Sequence, residues 1–526
     1  MYNVLVTDPI HPDGIALLQK DTKIHVDVQE TISQEKLGEI IGNYDALILR
    51  SRTTLPKEIL EKAKKLKVIG RVGIGVSHID VEEASRQGII IVYSPRGNVV
   101  STAEHTLGLL LALAKNTIPA HQALQQEKWE RSRYEGTELA GKTLGIIGLG
   151  KTGSEVAWRA KALLMNVIAY DPYVDQDYAS KRYTQLLSQE EVLAQADFLT
   201  LHIPLNEHTR NTIDSKALGL MKKGASLINC AYGGLIDENA LIKALESGNL
   251  ASAALDVFAS EPVAKNAFKD LPQVVTTPHL GGDTLSAKQK STTDACQGVV
   301  DVLAGRSPQF PINLPTPLPS DVDYYKPYLQ LMEKLGKFTQ QFVDGTIGNI
   351  EFTFTGDIAK KNTDILKVNF LLHLLKSAGN EHLNIVNAYY VAQDQGIQIT
   401  EKKNKESNNF ASLISVKVIT NSEEHIISGT VSRKQPRLVQ IDSFWIDVSP
   451  EGFVLLTYHR DQPGVIGDLG TLLGKNFVNI GAMEVGRSAP GKDALMVTNL
   501  DSEASEKVLD EIREIKSVIS CKQVSL

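Results

Sequence analysis

The stretch LGIIGLGKTGSEVAWRA, Leu144 to Ala160, decides the fold. Leu144, Ile146 and Ile147 around Gly145 read as a strand buried on both faces, and Gly148, Gly150 and Gly153 follow at G-x-G-x-x-G spacing before a helix. Gly148 allows the tight turn, Gly150 lets backbone approach a pyrophosphate, and Gly153 lets the helix pack on the strand with its N–H groups facing the anion. A glycine turn alone is weak evidence, because such turns often join strands to helices. A second apolar strand, Val167-Ile168-Ala169-Tyr170, ends in Asp171, about 20 residues on, where a carboxylate accepts hydrogen bonds from both ribose hydroxyls. The ordinary alternative for Asp171 is a turn residue before Pro172. With no arginine following it, the spacing favours NAD over NADP.

Working outward, LGIIG, NVIAYD, ADFLTLHIP, ASLINCA, SAALDVF and QVVTTP predict a six-stranded, doubly wound parallel sheet between Gly141 and about Pro278. Upstream, YNVLVTD, Ala46 to Leu49 and Val68 to Gly70, with a helical stretch from Glu58 to Leu66, predict another parallel sheet. A buried helix starts near Ser101 or Thr102, and a second, from about Leu285 to Ala304, returns the chain to the first sheet. The expected architecture is α/β: a Rossmann-type domain (100–285) inserted in a flavodoxin-like substrate domain (1–99 and 286–313).

The proline-rich linker PQFPINLPTPLPSD forbids helix and central strand. Beyond it, IEFTFTGDI, ASLISVKVIT, EEHIISGTVSR and RLVQIDSFWIDV alternate apolar and polar residues, predicting an α+β domain (314–450) with antiparallel strands and helices near Tyr328 to Val343 and Lys367 to Leu375. The polar tract EKKNKESNN reads as a loop. The last segment (451–526) reads strand, helix, strand, strand, helix, strand, a ferredoxin-like module.

Size and composition agree with several ordinary folded domains: 526 residues, 42% hydrophobic and 22% charged, exceed one core and exclude disorder. A net charge of −7 gives no footprint for nucleic acid or an anionic membrane. Cys230, Cys296 and Cys521 are far apart, which fits a reducing cytoplasm and offers no metal-ligand spacing. The start, MYNVLVTDPI, is expected to be a strand and not a secretion signal.

Function is expected at the strand carboxyl ends. Arg50-Ser51-Arg52 and Arg71-Val72-Gly73-Ile74-Gly75 sit there, and the arginines Arg50, Arg52 and Arg71 facing one crevice make an anion site as reasonable as a solvated edge. On the second sheet, NCAYGGLID (Asn229 to Asp237), DVFASEP (Asp256 to Pro262) and TTPHLGG (Thr276 to Gly282) bring Glu261 and His279. Alone, each is a cap or a surface group; together they suit hydride transfer at a secondary alcohol, with imidazole taking the hydroxyl proton and carboxylate fixing the ring.

The glycines with Asp171, the SEP and PHLGG stretches at Ser260 and Pro278 and the AEHTLGLLLALA helix resemble the D-isomer-specific 2-hydroxyacid dehydrogenases. LQLMEKLGKFTQQ, ISGTVSRKQPRLVQIDSFWIDVSPEGFVLL and YHRDQPGVIGDLGTLL narrow the resemblance to the long-form D-3-phosphoglycerate dehydrogenase family, with an intervening and an ACT domain. The resemblance implies NAD-dependent oxidation of 3-phosphoglycerate to 3-phosphohydroxypyruvate, the first step of serine synthesis, in a cytoplasmic homo-oligomer, dimer or tetramer. It makes His279 the acid/base and Glu261 its partner, places substrate near Arg50, Ser51, Arg52, Gly73 and Ile74, and extends the NAD site to Lys151, Thr152, His202, Pro204, Cys230, Ala231, Asp256 and Gly281.

One position departs from the pattern. Where the family's NCARGG carries a carboxylate-pairing arginine, this chain has Tyr232, a neutral single donor in place of a charged fork. Losing such a buried contact costs about 2–5 kcal/mol, and Arg52 or His78 is a candidate replacement. The neighbouring GIGVSH and PHLGGDT also differ from the family's GTGVDN and PHLGAST. The alternatives are a 2-hydroxyacid dehydrogenase with another substrate and a non-catalytic amino-acid or NAD sensor, the latter having no need of Glu261 and His279. By the same resemblance His459, Asp461 and, from a facing subunit, Asn479 would hold an L-serine effector, with a purely structural dimerisation module as the alternative.

Overall fold

Five short parallel strands open the chain: β1 (Tyr2–Val6), β2 (Ile24–Val28), β3 (Ala46–Leu49), β4 (Val68–Arg71) and β5 (Ile90–Tyr93), in the order β2-β1-β3-β4-β5. In this computed structural model, which describes residues 1–263, 265–315, 321–376, 383–406, 409–489 and 491–526, every residue of β3 and β4 is buried, as for strands covered on both faces. One cover comes from far along the chain. The helix Leu285–Leu303 puts Ala295, Cys296, Val299 and Leu303 into one core with Val4, Val6 and Val68. The approach is close enough that a Cβ on Gly14 would fall 2.2 Å from Thr292 Cγ2. The expected helix from Glu58 to Leu66 is corrected: helix covers only Lys57–Leu60, and turns carry Ala63 and Leu66 into the core. The apolar spacing recorded burial there, not helical backbone.

The second sheet comprises β6 (Thr143–Ile147), β7 (Asn166–Tyr170), β8 (Gln185–Leu186), β9 (Phe198–Leu201), β10 (Ala225–Asn229), β11 (Leu250–Leu255) and β12 (Val274–Thr276), ordered β12-β11-β10-β9-β6-β7-β8. It has seven strands where the sequence suggested six, because β8 is a two-residue edge strand too short to show alternation. From β6 the chain builds outward through β7 and β8, then returns to β9 and builds the other way. The switch point lies between β6 and β9, where such sheets hold ligands. The helix Val99–Ala114 joins the domains and buries Leu109, Leu110 and Leu113 against Leu144, Ile146 and Val156.

The third sheet, β13 (Ile347–Gly356), β14 (Gln398–Asn404), β15 (Ser412–Thr420), β16 (Glu424–Ser432), β17 (Gln435–Ile441) and β18 (Phe444–Val448), runs β14-β13-β15-β16-β17-β18. The helices Val322–Phe342 and Asp364–Leu374 cover one face. Three expectations change here. Part of the polar tract expected to be a loop is strand β14, and it runs parallel to β13, so the sheet is mixed. RLVQIDSFWIDV folds as two strands, β17 and β18, around Asp442 at φ 51°. A charged edge strand resembles a loop in sequence; here Lys402 pairs with Glu351 at 2.6 Å, and the charges guard the edge. Residues 407–408 of that tract and 316–320 of the proline-rich linker lie outside the described residues.

The carboxyl-terminal unit, β19 (Phe453–Arg460), β20 (Ile480–Arg487), β21 (Asp493–Leu500) and β22 (Val518–Ser525), is ordered β20-β21-β19-β22 with helices Val465–Lys475 and Glu506–Arg513 on one face, the ferredoxin-like arrangement. Among the described residues no helix is long and apolar enough to cross a membrane.

Candidate active site

The glycine turn after β6 has the shape its spacing requires. Gly148 sits at φ 96°, and a Cβ there would lie 2.6 Å from the His202 carbonyl oxygen. A Cβ on Gly153 would lie 2.1 Å from the Gly148 oxygen, whereas one on Gly150 would enter open space. The helix that follows, Lys151–Ala162, has no side-chain cap, unlike Gln189–Gln195, Ser215–Leu220 and Glu238–Glu246, which Ser188, Asp214 and Asp237 cap. Its first N–H groups are left for an anion. Asp171 accepts from Leu149 N and Tyr173 N, both at 2.9 Å, which braces its carboxylate beside the turn and leaves lone pairs for hydroxyl donors. These residues fit a dinucleotide with a free ribose diol.

A cavity of about 880 Å³ opens between the two parallel-sheet domains. Its first wall includes Arg50, Ser51, Arg71, Gly73 and Ile74; its second includes Thr152, His202, Pro204, Cys230, Ala231, Tyr232, Asp256, His279 and Gly281. Arg52 is exposed and lies outside these walls. Asp8 explains why: its Oδ2 accepts from the backbone of Arg50 at 2.6 Å and Thr53 at 3.3 Å, turning the chain sharply after β3. Arg71 is buried, and its Nε donates to the Gly75 oxygen at 2.6 Å. Burial, and then the like charge of Arg50, push its guanidinium down to about 10, which leaves it cationic at neutral pH. His78 is held below its ordinary value by burial and by Arg71, so it stays neutral and does not supply the missing charge. On the facing wall, burial pushes His202 down to about 4 and the Cys230 thiol up to about 12.

Glu261 and His279, 18 positions apart, meet at 2.6 Å between Oε2 and Nδ1. The other carboxylate oxygen of Glu261 accepts from Phe258 N at 2.9 Å, fixing the acid. His279 itself sits at φ 53°, unusual for a side chain with a Cβ. Its backbone N–H is held by the Asp256 carbonyl at 2.9 Å, while Leu280 N and Gly281 N donate to the Asp256 carboxylate, each at 2.8 Å. Burial works to raise the Asp256 carboxyl, but His105, Thr277 and these backbone bonds together outweigh it and take the group down to about 2. Sequence reasoning missed His105 and Thr277, both bonded into this cluster. No sequence signal marked either, since His105 is one of several polar residues in the first half of its helix, with Ser101, Thr102, Glu104 and Thr106.

In the carboxyl-terminal unit the candidate effector residues are not gathered by one chain. His459 is buried with Nδ1 against the Arg460 carbonyl at 2.9 Å and no partner at Nε2. Asp461 accepts from Arg487 at 3.3 Å and Gly491 N at 3.1 Å. Asn479 donates to Asp501 at 2.6 Å. Because β19 pairs Arg460 with Asp493 and Phe453 with Leu500, Asp501 and Asn479 lie at the sheet end away from Asp461.

Residues 107–281 match the D-isomer specific 2-hydroxyacid dehydrogenase NAD binding domain, 324–442 the D-3-phosphoglycerate dehydrogenase intervening domain, and 453–517 the ACT domain. D-3-phosphoglycerate dehydrogenase of Methanocaldococcus jannaschii is 39% identical over 519 residues, 98% of each chain. The chain belongs to the D-3-phosphoglycerate dehydrogenase family. The Bacillus subtilis enzyme of that name is 36% identical over the whole of both chains. Among solved structures, D-lactate dehydrogenase from Aquifex aeolicus, complexed with NAD and lactic acid, aligns with 58% of this chain and 96% of its own at 27% identity, TM-score 0.52. Membership makes the protein an NAD-dependent dehydrogenase, and NAD is the dinucleotide that the glycine turn and Asp171 suit.

Proposed function

We propose that the protein oxidises 3-phosphoglycerate to 3-phosphohydroxypyruvate, the entry to serine synthesis, with His279 as acid/base and Glu261 as its partner. The 2.6 Å contact between them at the cavity carries this reading. Nδ1 of His279 is taken by Glu261, so Nε2 is the nitrogen that exchanges the hydroxyl proton. NAD, which the glycine turn and Asp171 would hold, would supply the hydride acceptor. Arg50 and Arg71 supply the cationic wall for a substrate that carries both a carboxylate and a phosphate, and Arg71, which lines the same cavity as Tyr232, takes over the carboxylate contact in place of Arg52 or His78. NADH consumption with a panel of 2-keto acids tests this. Fastest turnover of 3-phosphohydroxypyruvate supports it, whereas preference for an unphosphorylated keto acid favours the second reading, a redirected 2-hydroxyacid dehydrogenase, which Tyr232 motivates. Tyr232→Arg leaves kcat/KM within about threefold where Arg71 already pairs the carboxylate, and raises it roughly 30-fold or more where it does not.

L-serine is the effector proposed for the ACT domain. The separation of Asp461 from Asn479 within one chain favours a site completed by a second copy, so the working form is an oligomer. Inhibition by serine that weakens on dilution, followed with the protein's sedimentation, is the expected result.

A further inference from the structure

The helix joining the domains places His105 one turn beyond Thr102, a cavity-wall residue. His105 Nε2 lies 3.2 Å from Asp256 Oδ1 and 3.2 Å from Thr277 Oγ1, and Thr277 donates to the same carboxylate oxygen at 2.6 Å. An ionised carboxylate only accepts, so Nε2 carries the proton and donates. Asp256 is fully buried, and its two oxygens gather Thr277, Leu280 N, Gly281 N and His105. The carboxylate therefore holds the loop that presents His279 in its left-handed backbone conformation, and His105 is the group that reaches it from the joint between the domains.

We propose that His105 is a positioning residue: its Nε2–H, bonded to Thr277 Oγ1 and 3.2 Å from Asp256 Oδ1, fixes the Thr277–Asp256 carboxylate pair, and through it the 277–281 loop and the acid/base His279. This rests on the reaction proposed above only for its kinetic readout. His105, Cys230 and Asp256 also bring ligand-type atoms within 4.8 Å of one another. Both Asp256 oxygens there already accept backbone N–H groups, from Leu280 and Gly281.

The test compares His105→Gln, which keeps a donor, with His105→Phe, which keeps a ring and removes the donor. For His105→Phe the expected results are a fall in kcat of about 10- to 100-fold with KM for the keto acid changed less than threefold, and an NADH dissociation constant, titrated by fluorescence at about pH 7 without substrate, raised by roughly threefold or more. His105→Gln recovers most of both. A His105→Phe protein that melts like the wild type and keeps kcat and NADH affinity within twofold overturns the proposal; so does equal impairment in the two variants, which makes the role one of packing. If the wild type turns over no keto acid, the proposed reaction fails, while the NADH titration still decides the role of His105.

Discussion

Strand ends on the first parallel sheet carry cations, Arg50 after β3 and Arg71 at the end of β4; those on the second carry Asp256, Glu261 and His279, each bonded to a neighbour. The cations of the first wall are pushed together, with Arg50 depressing Arg71. The groups of the second wall are satisfied by one another. In the reading proposed above the difference separates two jobs: a wall with two cations and one nearby carboxylate, Asp8, gains from a suitable anion and sets selectivity, whereas a completed hydrogen-bonded wall sets the chemistry.

The contrast breaks most visibly at His279. His279→Ala lowers kcat by about 10²- to 10⁴-fold while the dissociation constant for NADH, read by fluorescence, stays within threefold. Arg71→Met acts on the other side, raising KM for the phosphorylated keto acid by roughly 100-fold, the cost of a lost charge-assisted contact, with a smaller change in kcat. Asp256→Asn sharpens the comparison through stability. The folded carboxyl lies near 2, below its ordinary value, so its contribution is complete above about pH 4 and disappears as pH falls through about 2. At pH 7 the variant loses about 2 kcal/mol of unfolding free energy, and urea titrations from pH 7 to 2 show the gap to the wild type closing. Smallest is Asp171→Ser, which raises KM for NAD by roughly tenfold, as for a lost hydrogen bond to a charged group, and narrows the preference over NADP in the same assay.

The glycine turn, Asp171 and the Glu261–His279 pair were legible because each sits at a fixed spacing after an apolar strand. Arg52 was not, because residues two apart share a face only while the strand continues, and Asp8 bends the chain directly after Leu49. The strand β14 was hidden by the charges that protect its edge. His105 did not stand out among Ser101, Thr102, Glu104 and Thr106 of its helix, and its partner Asp256 lies on another element and is brought to it only by the fold.

Closure of the amino-terminal core by Leu285–Leu303 also has a consequence for biosynthesis. A ribosome adding about 5–20 residues per second finishes β5 at Tyr93 and then takes roughly ten to forty seconds more to deliver the covering helix at Leu303. Over that interval Val4, Val6 and Val68 lack the cover of Ala295, Cys296, Val299 and Leu303, and of the helices already made only Pro12–Gln19, through Leu18, shares their core.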